Sequence, residues 1–490
     1  MTVTNQTNST YPIIFNMLCI DSSKSASHTM FFCMFAALQN VIMRLCFAHS
    51  FYFQSLLINK IKDDLMTSQD NQNEITTSQD SLDSQAATID RTASEQIDMT
   101  HMDIAAITDT TNLPQPSLQP IQQATYKANT TDFIVNELLP LDFTGEGEHL
   151  WLHIEKSGMN TAYLAKLLSE WADIPLRDVG YSGLKDRHAL TTQWFSLRIP
   201  KKQLPPTEFA PMDIGENESV TILAQHWHNK KLNRGTHRAN QFVITLRDIQ
   251  FASASDENVD DGSNASPEQL LSAKEAVEQH LTRIGRNGVP NYFGPQRFGR
   301  QGNNVREALS LFARPPREPR PQSKKSKRKR APREQNTMEL SAARSLIFNE
   351  ILAARVRNGS WNTGLAGEVF NLDGSGSIFT SETLDDTLHA RIDSGDIHPT
   401  AVLWGTGNDK VTGSAADLES EVVQHSPLLM QLATGLEQRD IKAQRRALRL
   451  PLEALSWEWS DDQTLVLNFT LTTGSFATSV LASLVQQLAS

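Results

Sequence analysis

From about Thr108 onward, apolar residues recur at two different periods that follow one another without a fixed order, and this limits the fold classes open to the chain. Residues 133–138 read as a strand, and Leu150, Leu152 and Ile154 alternate with Trp151, His153 and Glu155 as in a second. Leu164, Leu167, Leu168 and Trp171 then take the i, i+3, i+4, i+7 spacing of a helix that Asn160 or Thr161 can cap and Pro175 ends. Residues 179–181 and 192–197 return to strand character, as do Phe242, Ile244 and Leu246. Helices are predicted over 267–286, with Gly288 and Pro290 as terminators, and over 341–357, with Leu346, Ile347, Ile351 and Ala354 on one face. Leu465, Leu467, Phe469 and Leu471 alternate once more. Residues 475–488 are expected to close the chain as a helix with Phe476, Val480, Leu484 and Leu488 on one face. Regular strand–helix–strand alternation is missing, which predicts an α+β fold.

At 490 residues the chain exceeds one ordinary core and predicts two or three domains. Its 39% apolar and 21% charged residues suit a soluble globular protein. The formal charge of −11 does not announce a nucleic-acid binder, but it hides an asymmetry. Residues 314–334 hold ten Lys/Arg against two Glu, whereas acidic residues outnumber basic ones over 63–109. All three cysteines, Cys19, Cys33 and Cys46, fall in the first tenth of the chain. Structural disulfides, Cys-ligated zinc, iron–sulfur clusters and cysteine nucleophiles are thereby excluded from the remainder.

The stretch 25–43 contains no Asp, Glu, Lys or Arg and is long enough for a membrane span. A membrane anchor, a signal peptide and an over-extended translation start, with initiation at Met99 or Met102, compete for it. The signal peptide lacks a preceding basic cluster. The extended start is favoured, with no membrane contact in the functional protein. Residues 67–111 are rich in Ser, Thr, Gln, Asn and Asp and predict disorder. Thr67-Ser68-Gln69-Asp70 recurs as Thr77-Ser78-Gln79-Asp80, a low-complexity duplication.

Gly183-Leu184-Lys185-Asp186-Arg187 occupies a predicted loop between strands. An aspartate of reference pKa ~3.9 is ionised at neutral pH and can act as nucleophile or base without activation. Lys185 and Arg187 would hold its charge or meet a phosphate. Taken alone, the tripeptide equally fits an ion-paired polar turn.

The wider surroundings are more specific. Val179 through Ala189, followed by Thr191-Thr192-Gln193-Trp194-Phe195, resembles the signature of the TruD family of tRNA pseudouridine synthases. Lys127-Ala128-Asn129 with Asp132-Phe133-Ile134-Val135 and Glu137, Gly145-Glu146-Gly147-Glu148-His149, Lys156 to Thr161, and Asn240-Gln241-Phe242 follow in the family's order. So do Gly288 to Gly299, Ser341 to Ser345, Leu455-Ser456-Trp457 and Gly474 to Ser479. The likeness spans roughly 107–490. It implies a pseudouridine synthase mixed-sheet catalytic core made of 107–287 and 451–490. An α/β TRUD domain, 288–450, would be inserted between these parts to form a two-domain cleft, and 1–106 would be a non-homologous extension.

The resemblance further implies a catalytic Asp at Asp186, an active-site lysine at Lys127, and uracil-contacting residues at Phe133, Asn240, Phe242 and Phe476. It implies tRNA as partner, uridine 13 as target, a cytoplasmic monomer, and no cofactor or metal. Aromatic side chains can offset the stacking lost when a base is flipped out, and an Asn offers donor and acceptor to a uracil edge. Attack at C6 of the base or at C1′ of the sugar both remain open. Phe242 stands where other pseudouridine synthase families use Tyr and cannot act as a base, which leaves Asp186 for that role also. The alternatives are another RNA target, or a non-catalytic RNA-binding or RNA-folding protein of this fold.

Other signals carry less. His226-Trp227-His228 and the pair His149 and His153 lack a third metal ligand at recognisable spacing, and Gly145-x-Gly147 and Gly374-x-Gly376 read as turns. The basic run with Lys324, Lys325, Lys327, Arg328, Lys329 and Arg330 is expected either to be a solvated loop or to touch tRNA phosphates without sequence selectivity.

Overall fold

The computed structural model describes residues 103–200, 203, 208–209, 215, 217–252, 267–314 and 337–489. The expectations for 1–102 and for the basic side chains Lys324, Lys325, Lys327, Arg328, Lys329 and Arg330 lie outside the described residues. After one turn of helix at Ile104–Ile107 come β1 (Ile121–Thr125), β2 (Phe133–Leu138), β3 (His149–Ser157), α1 (Thr161–Trp171), β4 (Val179–Tyr181), β5 (Leu190–Arg198), β6 (Ser219–His228), β7 (Ala239–Phe251) and α2 (Pro267–Asn287). There follow β8 (Val289–Pro290), α3 (Asn303–Phe312), α4 (Met338–Arg357), β9 (Val369–Leu372), β10 (Ile378–Thr380), α5 (Asp386–Asp393), β11 (Ile397–Leu403), α6 (Gly413–Gln424), α7 (Pro427–Gln438) and β12 (Gln444–Ala447). The chain ends with β13 (Arg449–Leu450), β14 (Glu453–Trp459), β15 (Leu465–Thr472), α8 (Ala477–Leu484) and β16 (Val485–Ala489).

Ten of the described strands share one sheet, whose main path is β14-β15-β7-β2-β5-β3-β6, with β1 beside β7, β16 beside β1 and β4 beside β5. Strand β2 pairs parallel with β5, and β1 with β16, while β7 is antiparallel to both β2 and β15. The sheet is therefore mixed, in keeping with an α+β fold. Alternation places Phe133, Val135 and Glu137 on one face of β2. There Val277, Leu281 and Ile284 of α2 and Val480, Leu481 and Leu484 of α8 pack with Phe133, Val135, Phe242, Ile244 and Phe469. Further along the sheet, Leu164, Ala165 and Leu168 of α1 cover Leu150, Leu152, Ile154 and Phe195. Each such buried Val, Leu, Ile or Phe side chain contributes roughly 1.5–3 kcal/mol. The other face carries a polar ladder. Thr192 Oγ1 donates to Asn136 Oδ1 (3.1 Å), Asn136 Nδ2 to Gln241 Oε1 (3.3 Å), and Gln241 Nε2 to Asn468 Oδ1 (3.1 Å).

Several features depart from the expectation: residues 104–107, within the stretch expected to be disordered, form a helical turn that buries Ile104. Trp151, on the nominally polar side of β3, is 2% exposed. Its indole N–H donates to Lys230 O at 2.9 Å, and its ring packs edge-on against Phe143. At the C-terminus the helix stops at Leu484, and residues 485–489 form β16, with Val485 opposite Ile121 and Leu488 opposite Ala124. The apolar spacing there fits either structure, and the unpaired edge of β1 decides in favour of a strand.

A second hydrophobic cluster involves α3, α4, α6 and α7. Helix α4 is buried on every side rather than along one stripe, since 13 of its 20 residues are buried. Strands β10-β9-β11-β12 form a small sheet in this part of the chain. The chain enters it through β8 and leaves through β13, which pair antiparallel, Val289 opposite Leu450. Among the described residues no helix is long and apolar enough to cross a membrane.

Candidate active site

Asp186 lies on the loop between β4 and β5, and hydrogen bonds fix that loop at five of its residues. Ser182 Oγ accepts from the His237 backbone N–H at 2.9 Å and sits 2.5 Å from His237 Nδ1. Gly183 O accepts from Gln193 Nε2 at 3.3 Å. The Lys185 backbone N–H donates to Thr161 Oγ1 at 2.9 Å, at the first turn of α1. The carbonyl of Asp186 accepts from Lys156 Nζ at 3.0 Å, and the same ammonium donates to Met159 O at 2.6 Å. Arg187 donates to Gly158 O at 2.8 Å and pairs with Glu218 at 3.2 Å. In contrast to these fixed groups, the Asp186 carboxylate is 41% exposed.

Lys185 does not hold the charge of Asp186 or face a phosphate, contrary to the sequence expectation. Its ammonium reaches inward to Glu137 at 2.9 Å, in a pair that is nearly shut off from solvent. A carboxylate on the buried face of β2 needs a cation, and Lys185 supplies it. The partner of Asp186 is Lys127, at 3.0 Å. Lys127 Nζ also stands 4.2 Å from the ring centre of Phe133. Lys127 has a φ of 60°, a left-handed conformation that costs a non-glycine residue about 1 kcal/mol or more. The turn is held by the Asn129 N–H donating to Asp132 Oδ2 at 2.9 Å and by the Asp132–Arg247 pair at 2.7 Å.

Phe133 and Phe242 meet edge to face at 6.1 Å, and Phe242 stacks on Phe469 at 5.6 Å. At 4% and 7% exposure they form the floor of the site and are not a free stacking platform. Asn240 sits opposite Glu137 on β2 and Leu471 on β15, two residues along β7 from Phe242 and on the same face. Its Nδ2 lies 3.3 Å from His237 Nε2, while its Oδ1 is buried with no partner. Burial holds the His237 imidazole below its usual pKa, with Glu137 opposing, so the ring is neutral at pH 7. With Nε2 accepting from Asn240, the ring proton belongs on Nδ1 toward Ser182. Asn240 is thereby left with a free acceptor. Phe476 stands apart from this group: it caps α8 and is packed against the second hydrophobic cluster.

Lys156, Glu137 and His237 are structural participants that sequence reasoning did not single out. Lys156 is fully buried, and burial pushes its pKa down to about 8, although Asp186 acts in the opposite sense. The histidines considered as ligands serve as packing rings: His226 stacks on Phe143 at 4.5 Å and His153 on Trp194 at 4.8 Å. Gly147 is a turn glycine with φ of 112°, and a Cβ there would come within 2.3 Å of His228 O.

The family model for tRNA pseudouridine synthase D (TruD) matches residues 119–309 and 306–484. A tRNA pseudouridine synthase D from Psychrobacter arcticus is 78% identical over 389 residues, covering 79% of this chain and 96% of that protein. One from Xanthomonas euvesicatoria is 40% identical over 380 residues, covering 76% and 95%. The crystal structure from Methanosarcina mazei that carries the TruD name superposes with a TM-score of 0.55 at 21% identity, covering 77% of this chain and 96% of that one, and shows the shared fold. On the strength of these matches, the chain belongs to the tRNA pseudouridine synthase D (TruD) family.

Proposed function

We propose that this protein isomerises uridine to pseudouridine in tRNA, at uridine 13, with Asp186 as nucleophile. The observation that carries this reading is the exposed Asp186 carboxylate, paired with Lys127 on a loop held by hydrogen bonds at Ser182, Gly183, Lys185, the Asp186 carbonyl and Arg187. Such preorganisation lets a carboxylate meet a flipped-out base without first ordering its own loop. Asp186 bonds to C6 of the base or C1′ of the sugar, and the N1–C1′ bond breaks. The base turns and C5 bonds to C1′; after attack at C1′ this step displaces the Asp186 carboxylate, and after attack at C6 the carboxylate leaves C6 as the C5 proton is lost, while N1 gains a proton from solvent. The product is an isomer, so the balance needs neither oxidant nor water. After attack at C1′ the freed Asp186 carboxylate takes the C5 proton, because Phe242 has no basic atom. Lys127 keeps the carboxylate oriented, and the free Oδ1 of Asn240 suits an N–H on the uracil edge.

In this reading 107–287 with 451–490 form one body and 288–450 the other, with tRNA held between them by a cytoplasmic monomer. The basic side chains from Lys324 to Arg330 add sequence-independent contact to phosphates. Incubation with a set of unmodified tRNA transcripts, followed by pseudouridine mapping, tests the assignment. New pseudouridine is expected at position 13 in transcripts that carry uridine there. Modification confined to another position or another RNA would contradict the assigned target, and none at all would favour an RNA-binding role.

A further inference from the structure

Among the buried arginines described in the 288–450 segment, two have an acid, and Arg449 donates to His398 Nδ1 and to the carbonyls of Ile392 and Ile397. Arg355 pairs with Glu368 at 2.7 Å and Arg445 with Glu419 at 2.8 Å. Arg297 and Arg446 are different. Both guanidinium groups lie over the ring of Phe293, at 5.2 and 4.2 Å, and Arg446 is also 5.7 Å from Phe348. Their hydrogen-bond partners are neutral: Arg297 Nη1 donates to Ser341 Oγ at 2.9 Å, and Arg446 Nη2 to Asn291 Oδ1 at 2.5 Å. Neither forms an ion pair among the described residues. Arg446 Nε is shut off from solvent and has no hydrogen-bond partner. Burial, reinforced by the nearby charge of Arg297, brings the Arg446 pKa down to about 10. Arg344, one helical turn beyond Ser341, donates through Nη2 to the carbonyls of Leu403 and Lys442 and likewise leaves a buried Nε unpaired.

Two desolvated like charges with no acid cost stability, and an orphaned buried donor adds to that cost. An anion entering the site would relieve both. The guanidinium fork fits the paired oxygens of a phosphate better than it fits a monatomic ion. The location also matters. Ser479 Oγ donates to Tyr292 O at 3.0 Å, and a Cβ on Gly294 would come within 3.2 Å of Thr478 Oγ1. Phe293 and Phe476 belong to the same packed cluster. The arginines thus adjoin the segment that carries Phe476.

We propose that Arg297 and Arg446, with Arg344 at the edge, form a pocket for a phosphodiester group of the RNA strand beside Phe476. The proposal rests on the functional reading for the identity of its ligand. Two variants test it. Arg446→Met keeps an unbranched side chain against Phe293 and Phe348, and Arg297→Gln keeps a donor for Ser341. For each, affinity for an unmodified tRNA transcript is measured across a salt series, together with the thermal midpoint without RNA and with inorganic phosphate added.

The expected result is an affinity lower by about ten- to a hundredfold at low salt, the usual effect of losing hydrogen bonds to a charged group. The slope of log affinity against log salt should shrink by about 0.7–0.9 for each phosphate that the variant no longer neutralises. The midpoint without RNA should hold or rise, because a destabilising charge is gone. A lower midpoint with unchanged RNA affinity in both variants would make these arginines structural and overturn the pocket. A phosphate-induced stabilisation that disappears in the variants, with RNA affinity unchanged, would make it a small-anion site and overturn it too. Should the wild-type protein make no pseudouridine while the variants still lose RNA affinity, the pocket stands and only the functional reading falls.

Discussion

Asp186→Asn is expected to lower the single-turnover rate of pseudouridine formation by at least about 10⁴-fold while tRNA affinity stays within about twofold. The substitution preserves size, and the amide oxygen can still accept from Lys127. The groups that fix the loop are the backbone carbonyl of Asp186 and the side chains of Lys156, Thr161, Gln193 and Glu137, none of which it alters. The loop should therefore keep its place, and loss of the half-exposed Asp186–Lys127 pair should cost no more than about 1 kcal/mol of stability. The missing property is the anionic oxygen, which serves as nucleophile and as acceptor of the C5 proton. Retention of more than about 1% of the rate would contradict both roles.

Lys156→Met should lower kcat by about ten- to a hundredfold with little change in KM, because the charged donor that holds Asp186 O at 3.0 Å is lost. Lys156 acts through the loop and not on the substrate, so it is a positioning residue. A pH experiment separates this from general damage. Its folded-state pKa of about 8 lies below the unfolded reference of 10.5, so the unfolded chain binds more protons between those values. Stability contributed through this group therefore rises with pH from about 8 to 10.5, by on the order of 3 kcal/mol in all. The difference in unfolding free energy between wild type and variant should carry that rise. A variant with wild-type kcat, or a difference that stays flat with pH, would show that the ammonium is not held as described.

The same residues mark what the sequence conveys about the site. Phe133, Val135 and Glu137 occupy one register of β2, and Leu150, Leu152, Ile154 and Lys156 one register of β3. A charged residue that continues an inward-facing apolar row is the readable sign of a buried ion, and it was available for both Glu137 and Lys156. Their partners were not readable. Lys185 reaches Glu137 across 48 residues of chain, and adjacency to Asp186 suggested a different role for it. The Lys127–Asp186 pair spans 59 residues; the family resemblance marked both residues for the active site, and spacing pointed to neither as the other's partner. Strand and helix periods placed most elements of the large sheet. They failed for β16, where pairing with β1 outweighs a helical period; they placed α4, although burial on all sides replaces the single stripe expected of it. Nothing in local spacing indicated that Arg297 and Arg446 would meet over Phe293, since they come from separate elements about 150 residues apart in the chain.

Isomerisation at carbon requires that the hydrogen on C5 of the target uridine be lost to solvent while the RNA chain stays intact. A tRNA transcript labelled with tritium at C5 of its uridines measures that step directly. Release of about one equivalent of tritium per tRNA is expected from the wild-type protein, with none above background from Asp186→Asn. Wild-type binding to the labelled tRNA without tritium release, or equal release by both proteins, would contradict the assignment of Asp186 as nucleophile and base.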